Sequence, residues 1–144
     1  MNENPLALYL YAEQHGIDVD WVPTSRARSL SVPLPDGTYA IAINPWKMET
    51  LEQETVCLAH ELGHCETGSF YNRWAKLDLR KKHENRADKW AVQQLVPVEE
   101  LDQAVADGCE DIQALADHFG VTEEFMKKAV CWYIHGNLAA ELYF

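Results

Sequence analysis

No apolar run in this chain approaches the roughly 18 to 20 residues that span a bilayer, which argues against a transmembrane helix and a membrane partner. Its first sixteen residues include Glu3 and Glu13 where an export signal would carry a basic region and then an apolar core, so a cytoplasmic protein is expected. Cations are scarce. Twelve Lys and Arg stand against 23 Asp and Glu, a formal charge of −11, opposite in sign to the field a phosphate backbone requires, and direct nucleic-acid binding is not expected. Cys57, Cys65, Cys109 and Cys131 show no CxxC spacing. They read as reduced thiols rather than a zinc knuckle or a disulfide framework. No repeat, linker or low-complexity segment divides the 144 residues, a length that buries about two-thirds of its unfolded surface in one domain. Residues 1–144 are therefore read as a single domain.

Hydrophobic residues at 47% and charged residues at 24% give the balance of a folded globular chain. Residues 5–15 carry apolar side chains at helical spacing and stop at Gly16; residues 17–22 then look extended. Pro35-Asp36-Gly37 is a turn signature between residues 29–34 and 38–43, which predicts a hairpin whose second strand alternates Tyr39, Ile41 and Ile43. Thr50 followed by Gln53 matches a capping box, and the apolar phase predicts a helix over residues 50–66, ending before Gly68. Residues 70–83 read as irregular, with Arg73, Lys76, Arg80, Lys81 and Lys82 as a solvated basic patch.

A second strong helix is predicted over residues 84–96, stopped by Pro97, with Ala87, Ala91 and Leu95 on one face. Three more helices follow over residues 98–107, 111–119 and 122–135, with Val121 and Met126 spaced as a hydrophobic staple. The fold class is α+β: a small antiparallel sheet, the hairpin, packed with the residue 50–66 helix and followed by a mostly helical C-terminal half.

His60-Glu61-Leu62-Gly63-His64 is an HExxH motif inside the well-capped helix. Imidazoles at i and i+4 lie on one helical face and can converge on one ion. Glu61, rotated about 100° from His60, suits a carboxylate that reaches the ion's water rather than the ion, so it is the candidate catalytic base. A composition with six histidines yields roughly 0.02 such motifs by chance. A catalytic zinc needs a third protein ligand. The metzincin pattern would require Gly at position 67 and His at position 70, where this chain has Thr67 and Phe70, which excludes that branch. Glu84, read as opening the second strong helix, is the preferred third ligand, with His83 and Asp78 as rivals. Asp88, one turn on, is placed to accept the outer N–H of a ligating histidine and hold its tautomer.

Taken together, His60-Glu61-Leu62-Gly63-His64, then Glu84-Asn85-Arg86-Ala87-Asp88-Lys89-Trp90-Ala91 and Gln94-Leu95-Val96-Pro97, resemble the ImmA/IrrE family of zinc peptidases. The resemblance runs from Ile41-Ala42-Ile43-Asn44 to Leu115-Ala116-Asp117-His118-Phe119-Gly120-Val121-Thr122, and it is specific because two motifs match in order. It implies a gluzincin-like metallopeptidase associated with phages and mobile elements, which relieves repression by cleaving or inactivating a partner repressor. Carried over, His60, His64 and Glu84 would bind Zn²⁺ and Glu61 would be the general base. Glu66 departs from the apolar residue that often continues such helices, which bears on packing rather than coordination.

The expected function is zinc-dependent endopeptidase action on a specific cytosolic protein, a transcriptional repressor. The alternative is a metal-holding protein that regulates its partner by binding alone. Tyr71, His83 and His135 are candidate oxyanion donors. Cys57, one turn before His60, could close the site as a fourth ligand, but a buried packing role is expected. Residues 111–136 could form a helix-turn-helix, yet Lys127 and Lys128 are outnumbered there by acidic residues. The apolar tail, residues 138–144, either packs on the core or offers a sticky surface.

Overall fold

The computed structural model describes residues 4–24, 26–72 and 74–135. Helix α1 (Leu6–Gln14) is followed by Gly16, whose φ of +69° turns the chain at once into strand β1 (Ile17–Trp21). Strands β2 (Ser29–Pro33) and β3 (Tyr39–Ile43) form the expected hairpin around Asp36, whose carboxylate accepts the Thr38 N–H at 3.0 Å.

The sheet order is β1-β3-β2, with β1 parallel to β3 and β2 antiparallel to it. The hairpin is thus joined by a third strand, and the sheet is mixed rather than wholly antiparallel. The physical reason is that β1, fed by α1, returns beside β3 on the side that β2 leaves open. Ile17, Ile41 and Ile43 are buried on the inner face. Ser29 pairs with Ile43 and Ser31 with Ile41, so both serines share that inner face, because opposed residues of a ladder point the same way. Leu30 and Val32 are left exposed on the other.

Helix α2 (Leu51–Thr67) packs beneath the sheet and α3 (Leu77–Leu95) along α2. Thr50 Oγ1 accepts the Gln53 N–H at 3.1 Å, while the Gln53 side chain caps the Glu49 N–H at 2.8 Å. This satisfies two donors at a helix start. Ala87, Ala91 and Leu95 are buried as the spacing predicts. The start of α3 is a correction: residues 77–83, read as irregular, form its first two turns, so Glu84 lies well inside the helix and Asp78 occupies the first turn.

Helices α4 (Val98–Ala106), α5 (Ile112–Phe119) and α6 (Glu123–His135) complete the core through Leu101, Leu115, Phe119, Phe125, Met126 and Trp132. Asp111 caps α5 by accepting the Ala114 N–H at 2.7 Å, and Gly120 ends it at a φ of +67°. Thr122 caps the Phe125 N–H at 3.1 Å, and both staple residues, Val121 and Met126, are buried. Among the described residues no helix is long and apolar enough to cross a membrane. Arg73 of the basic patch, Gly136 and the tail at residues 138–144 lie outside the described residues.

Candidate metal centre

The site begins with how α2 ends. Gly68 takes a left-handed φ of +63°, and the Ser69 N–H returns to His64 O at 3.0 Å while the Gly68 N–H bonds Cys65 O at 3.4 Å. This is the Schellman arrangement, which needs glycine because a Cβ is strained at that φ. The same turn swings the Ser69 carbonyl onto His64, whose Nδ1 donates to it at 2.5 Å. Helix termination therefore also sets the orientation of an imidazole.

Close helix contact brings the second half of the site. A Cβ on Gly63 would stand 2.4 Å from Ala87 O and 2.9 Å from Ala87 Cα, so α2 and α3 touch through backbone at this point. Ala87 lies between Glu84 and Asp88, and the contact carries both carboxylates over the histidine face. His60 Nδ1 donates to Asp88 Oδ1 at 2.6 Å. With both Nδ1 atoms engaged behind, the two Nε2 atoms face forward, 3.1 Å apart. Glu84 sits against both, 2.9 Å from His60 Nε2 and 3.0 Å from His64 Nε2.

Donor atoms of His60, His64 and Glu84 all lie within 4.8 Å of one another and could hold a metal ion. Ligands at about 2.0 to 2.1 Å in a tetrahedral shell stand about 3.3 Å apart, so the three donors need to open by only a few tenths of an ångström. Two imidazoles with their outer nitrogens hydrogen-bonded and one carboxylate form a donor set suited to a borderline divalent ion. The rivals His83 and Asp78 are not in this group. Neither is Cys57, whose thiol pKa burial pushes up, away from the thiolate that coordination requires.

Glu61 is buried, and two hydroxyls of β2 hold it: Ser29 Oγ donates to Oε2 and Ser31 Oγ to Oε1, each at 2.7 Å. Tyr71 Oη donates to Glu84 Oε2 at 3.2 Å, and its ring stacks on His83 at 6.1 Å. Of the three candidate oxyanion donors, Tyr71 is thus at the group and His83 is behind it, its Nδ1 buried and without a hydrogen-bond partner among the described residues. His135 is exposed in the last turn of α6. Lys128 Nζ approaches Asp88 Oδ2 at 3.6 Å. A cavity of about 430 Å³ opens beside His60, Glu84 and Asp88. Ser29, Ser31, Ser69 and Lys128 were not foreseen, because no spacing rule links a serine on a strand, a loop carbonyl or a lysine on a distant helix to HExxH.

The electrostatics are those of a tightly coupled group. Burial opposes protonation of His60, but hydrogen bonds to Asp88 and Glu84 outweigh it and raise its pKa to about 10. His64 is likewise raised: burial opposes, and the Glu84 hydrogen bond prevails. At Glu84 burial favours the neutral acid, yet both imidazoles hold it well below the usual carboxylate range. Burial and the neighbouring Glu84 raise the Tyr71 phenol, which therefore stays a donor at neutral pH.

Comparison with known proteins agrees with this geometry. No curated protein and no solved structure matches the chain. The Peptidase M78 family model, described as the IrrE N-terminal-like domain, matches residues 12–130, a span that takes in α2, α3 and every residue of the His60, His64 and Glu84 group. The chain belongs to this family of metallopeptidases.

Proposed function

We propose that the protein is a zinc-dependent endopeptidase that cleaves or inactivates one specific cytoplasmic partner, a transcriptional repressor of a phage or mobile element. The observation that carries the reading is the convergence of both Nε2 atoms on Glu84 while both Nδ1 atoms are engaged behind them. In this reading His60, His64 and Glu84 hold the ion, and Asp88 and the Ser69 carbonyl fix the imidazole tautomers. Zinc held there supplies Lewis acidity, which brings the pKa of water toward about 7 and polarises the scissile carbonyl.

The chain's own groups do the rest. Glu61 takes a proton from the attacking water and passes it to the departing amine, while Ser29 and Ser31 hold its carboxylate in place through one hydrogen bond to each oxygen. Tyr71, whose one O–H donates to Glu84 Oε2 in this structure, would turn that proton from Glu84 to the developing oxyanion. The substrate meets β2. Backbone bonds from Asn44 N to Arg28 O and from Leu34 N to Thr38 O fix the ladder phase, so Leu30 and Val32 bond to β3. The N–H and C=O groups of Ser29 and Ser31 then point away from β3. As β2 is an edge strand, these groups can pair with an extended peptide directly above the base.

The test is co-expression with the repressor encoded beside the gene, reading defined fragments by mass. Glu61→Gln should retain one zinc per chain and yield no fragments, whereas His60→Ala or Glu84→Ala should lose the zinc as well. Partner inactivation that continues undiminished in Glu61→Gln would favour regulation by binding over hydrolysis.

A further inference from the structure

Resting on the endopeptidase reading, we infer that Arg28 is the substrate-selecting residue of this site: it binds a carboxylate of the substrate in the cavity beside the metal group. That cavity, about 430 Å³, is lined by Arg28 and Lys128, by the apolar Val56 and Phe125, and by His60 and Glu84. It therefore accommodates a side chain or chain end immediately next to the reacting bond.

Glu84 is engaged by both imidazoles. Asp88 takes the His60 N–H and faces Lys128. Glu124, also on the cavity wall, sits in the first turn of α6, where the helix dipole favours a negative charge. Arg28 is exposed, and among the described residues its guanidinium has no hydrogen bond or ion pair; its charge is felt by the Cys57 thiol on the same cavity wall. Its backbone is nonetheless fixed, because Arg28 O accepts the Asn44 N–H at 2.8 Å.

Arg28 thus stands, held at its base and open at its tip, one residue before the serine that grips Glu61. A planar guanidinium with free donors is suited to bind a carboxylate in a two-pronged pair. The chain's −11 charge repels acidic segments at long range, but physiological salt screens that field beyond about 8 Å, whereas contact at Arg28 is not screened in this way. The carboxylate can come from an acidic side chain or from a chain terminus, and the probes below separate the two.

The experiment uses the zinc-loaded full chain and peptide hydroxamates, which grip zinc without turnover. Two series extend from the hydroxamate toward the N-terminal or the C-terminal side. Within each, the neighbouring residue is Glu, Gln or Lys with amide-blocked ends, and the C-terminal series adds a Gln probe with a free terminal carboxylate. In one series the wild type should bind a carboxylate probe about tenfold more tightly than its neutral counterpart. Arg28→Gln should remove the preference, and Arg28→Lys should keep part of it. A Glu preference assigns an acidic side chain, and a free-terminus preference assigns a chain end.

Equal binding of charged and neutral probes in both series, or a preference that survives Arg28→Gln, would overturn the assignment of Arg28. A preference for the Lys probes, lost in Glu124→Gln, would also overturn it, in favour of Glu124. If no probe of either series binds the zinc-loaded chain, the metal-centre reading falls and the inference falls with it.

Discussion

An imidazole nitrogen ligates a metal only after it has lost its proton, so the forces that hold His60 before metal arrives set the pH dependence of loading. Asp88 and Glu84 raise its pKa to about 10 against the effect of burial. In chelator-treated protein at pH 7 His60 is protonated, zinc must displace that proton, and affinity must rise with pH until the group titrates by itself. Zinc affinity should climb about tenfold per pH unit from about pH 7 and level off above about pH 10, more steeply where His64, also raised, contributes a second proton. Calorimetry in buffers of different ionisation heat should find at least one proton released per zinc at pH 7. An affinity that is flat from pH 6 to pH 9 would contradict the coupling.

Glu61 illustrates a different residue-scale demand, since a buried polar group costs free energy unless its hydrogen-bonding capacity is met. Ser29 and Ser31 meet that demand with one hydrogen bond to each oxygen. Bonds to a charged group contribute roughly 1.5 to 3 kcal/mol each. Replacing both serines by Ala removes both bonds and should therefore lower turnover of the partner by about 100-fold or more while zinc content and partner affinity stay at wild-type levels. Ser31→Thr, which keeps the hydroxyl, should retain most of the activity. An alanine pair that works as well as wild type would show that the base needs no such support.

Among the elements, the α2–α3 contact at Gly63 carries most of the site's geometry. Added methyl bulk there meets Ala87 backbone, not a side chain that could swing aside. Overpacking of this kind costs about 1 to 3 kcal/mol. Gly63→Ala should lower the urea midpoint by a corresponding amount and, because Glu84 and Asp88 ride on α3, weaken zinc binding at least tenfold. A variant that keeps both wild-type stability and affinity would show that the close approach is not what delivers the carboxylates.

The elements also show what could be read in advance and why. Helical phase and the Thr50 cap were local signals, and they located α2 closely. The i and i+4 histidines follow from the same periodicity, and the spacing to Glu84 and Asp88 named the residues that the structure brings together. The start of α3 was hidden because residues 77–83 expose nearly every side chain, so a helix there leaves no apolar stripe to detect. Parallel pairing of β1 with β3 is a non-local choice that alternation in either strand leaves undetermined. Strand β2 reverses the usual rule: Leu30 and Val32 face outward and the serines inward. Alternation alone assigns the apolar pair to the core, and only the buried carboxylate of Glu61 across the interface explains the inversion.

At the scale of the whole molecule, the proposed ion links α2 to α3, which together contribute Leu58, Leu62, Ala91, Val92 and Leu95 to the core. A ligand that binds only the folded chain stabilises it by RT ln(1 + [L]/Kd), about 4 kcal/mol at a thousandfold excess over Kd. For a chain of 144 residues that corresponds to a rise in Tm on the order of 10 °C. Zinc at pH 7.5 should produce such a rise, and chelator should reverse it. The rise should shrink at pH 6, where protons on His60 and His64 compete for the same nitrogens. Glu84→Gln separates this linkage from nonspecific metal effects: it removes the carboxylate that both imidazoles face, so its Tm should respond little to zinc at either pH. If the variant and the wild type rise equally, the ion that stabilises the fold is bound elsewhere, and the α2–α3 clasp is not the centre that the family's chemistry requires.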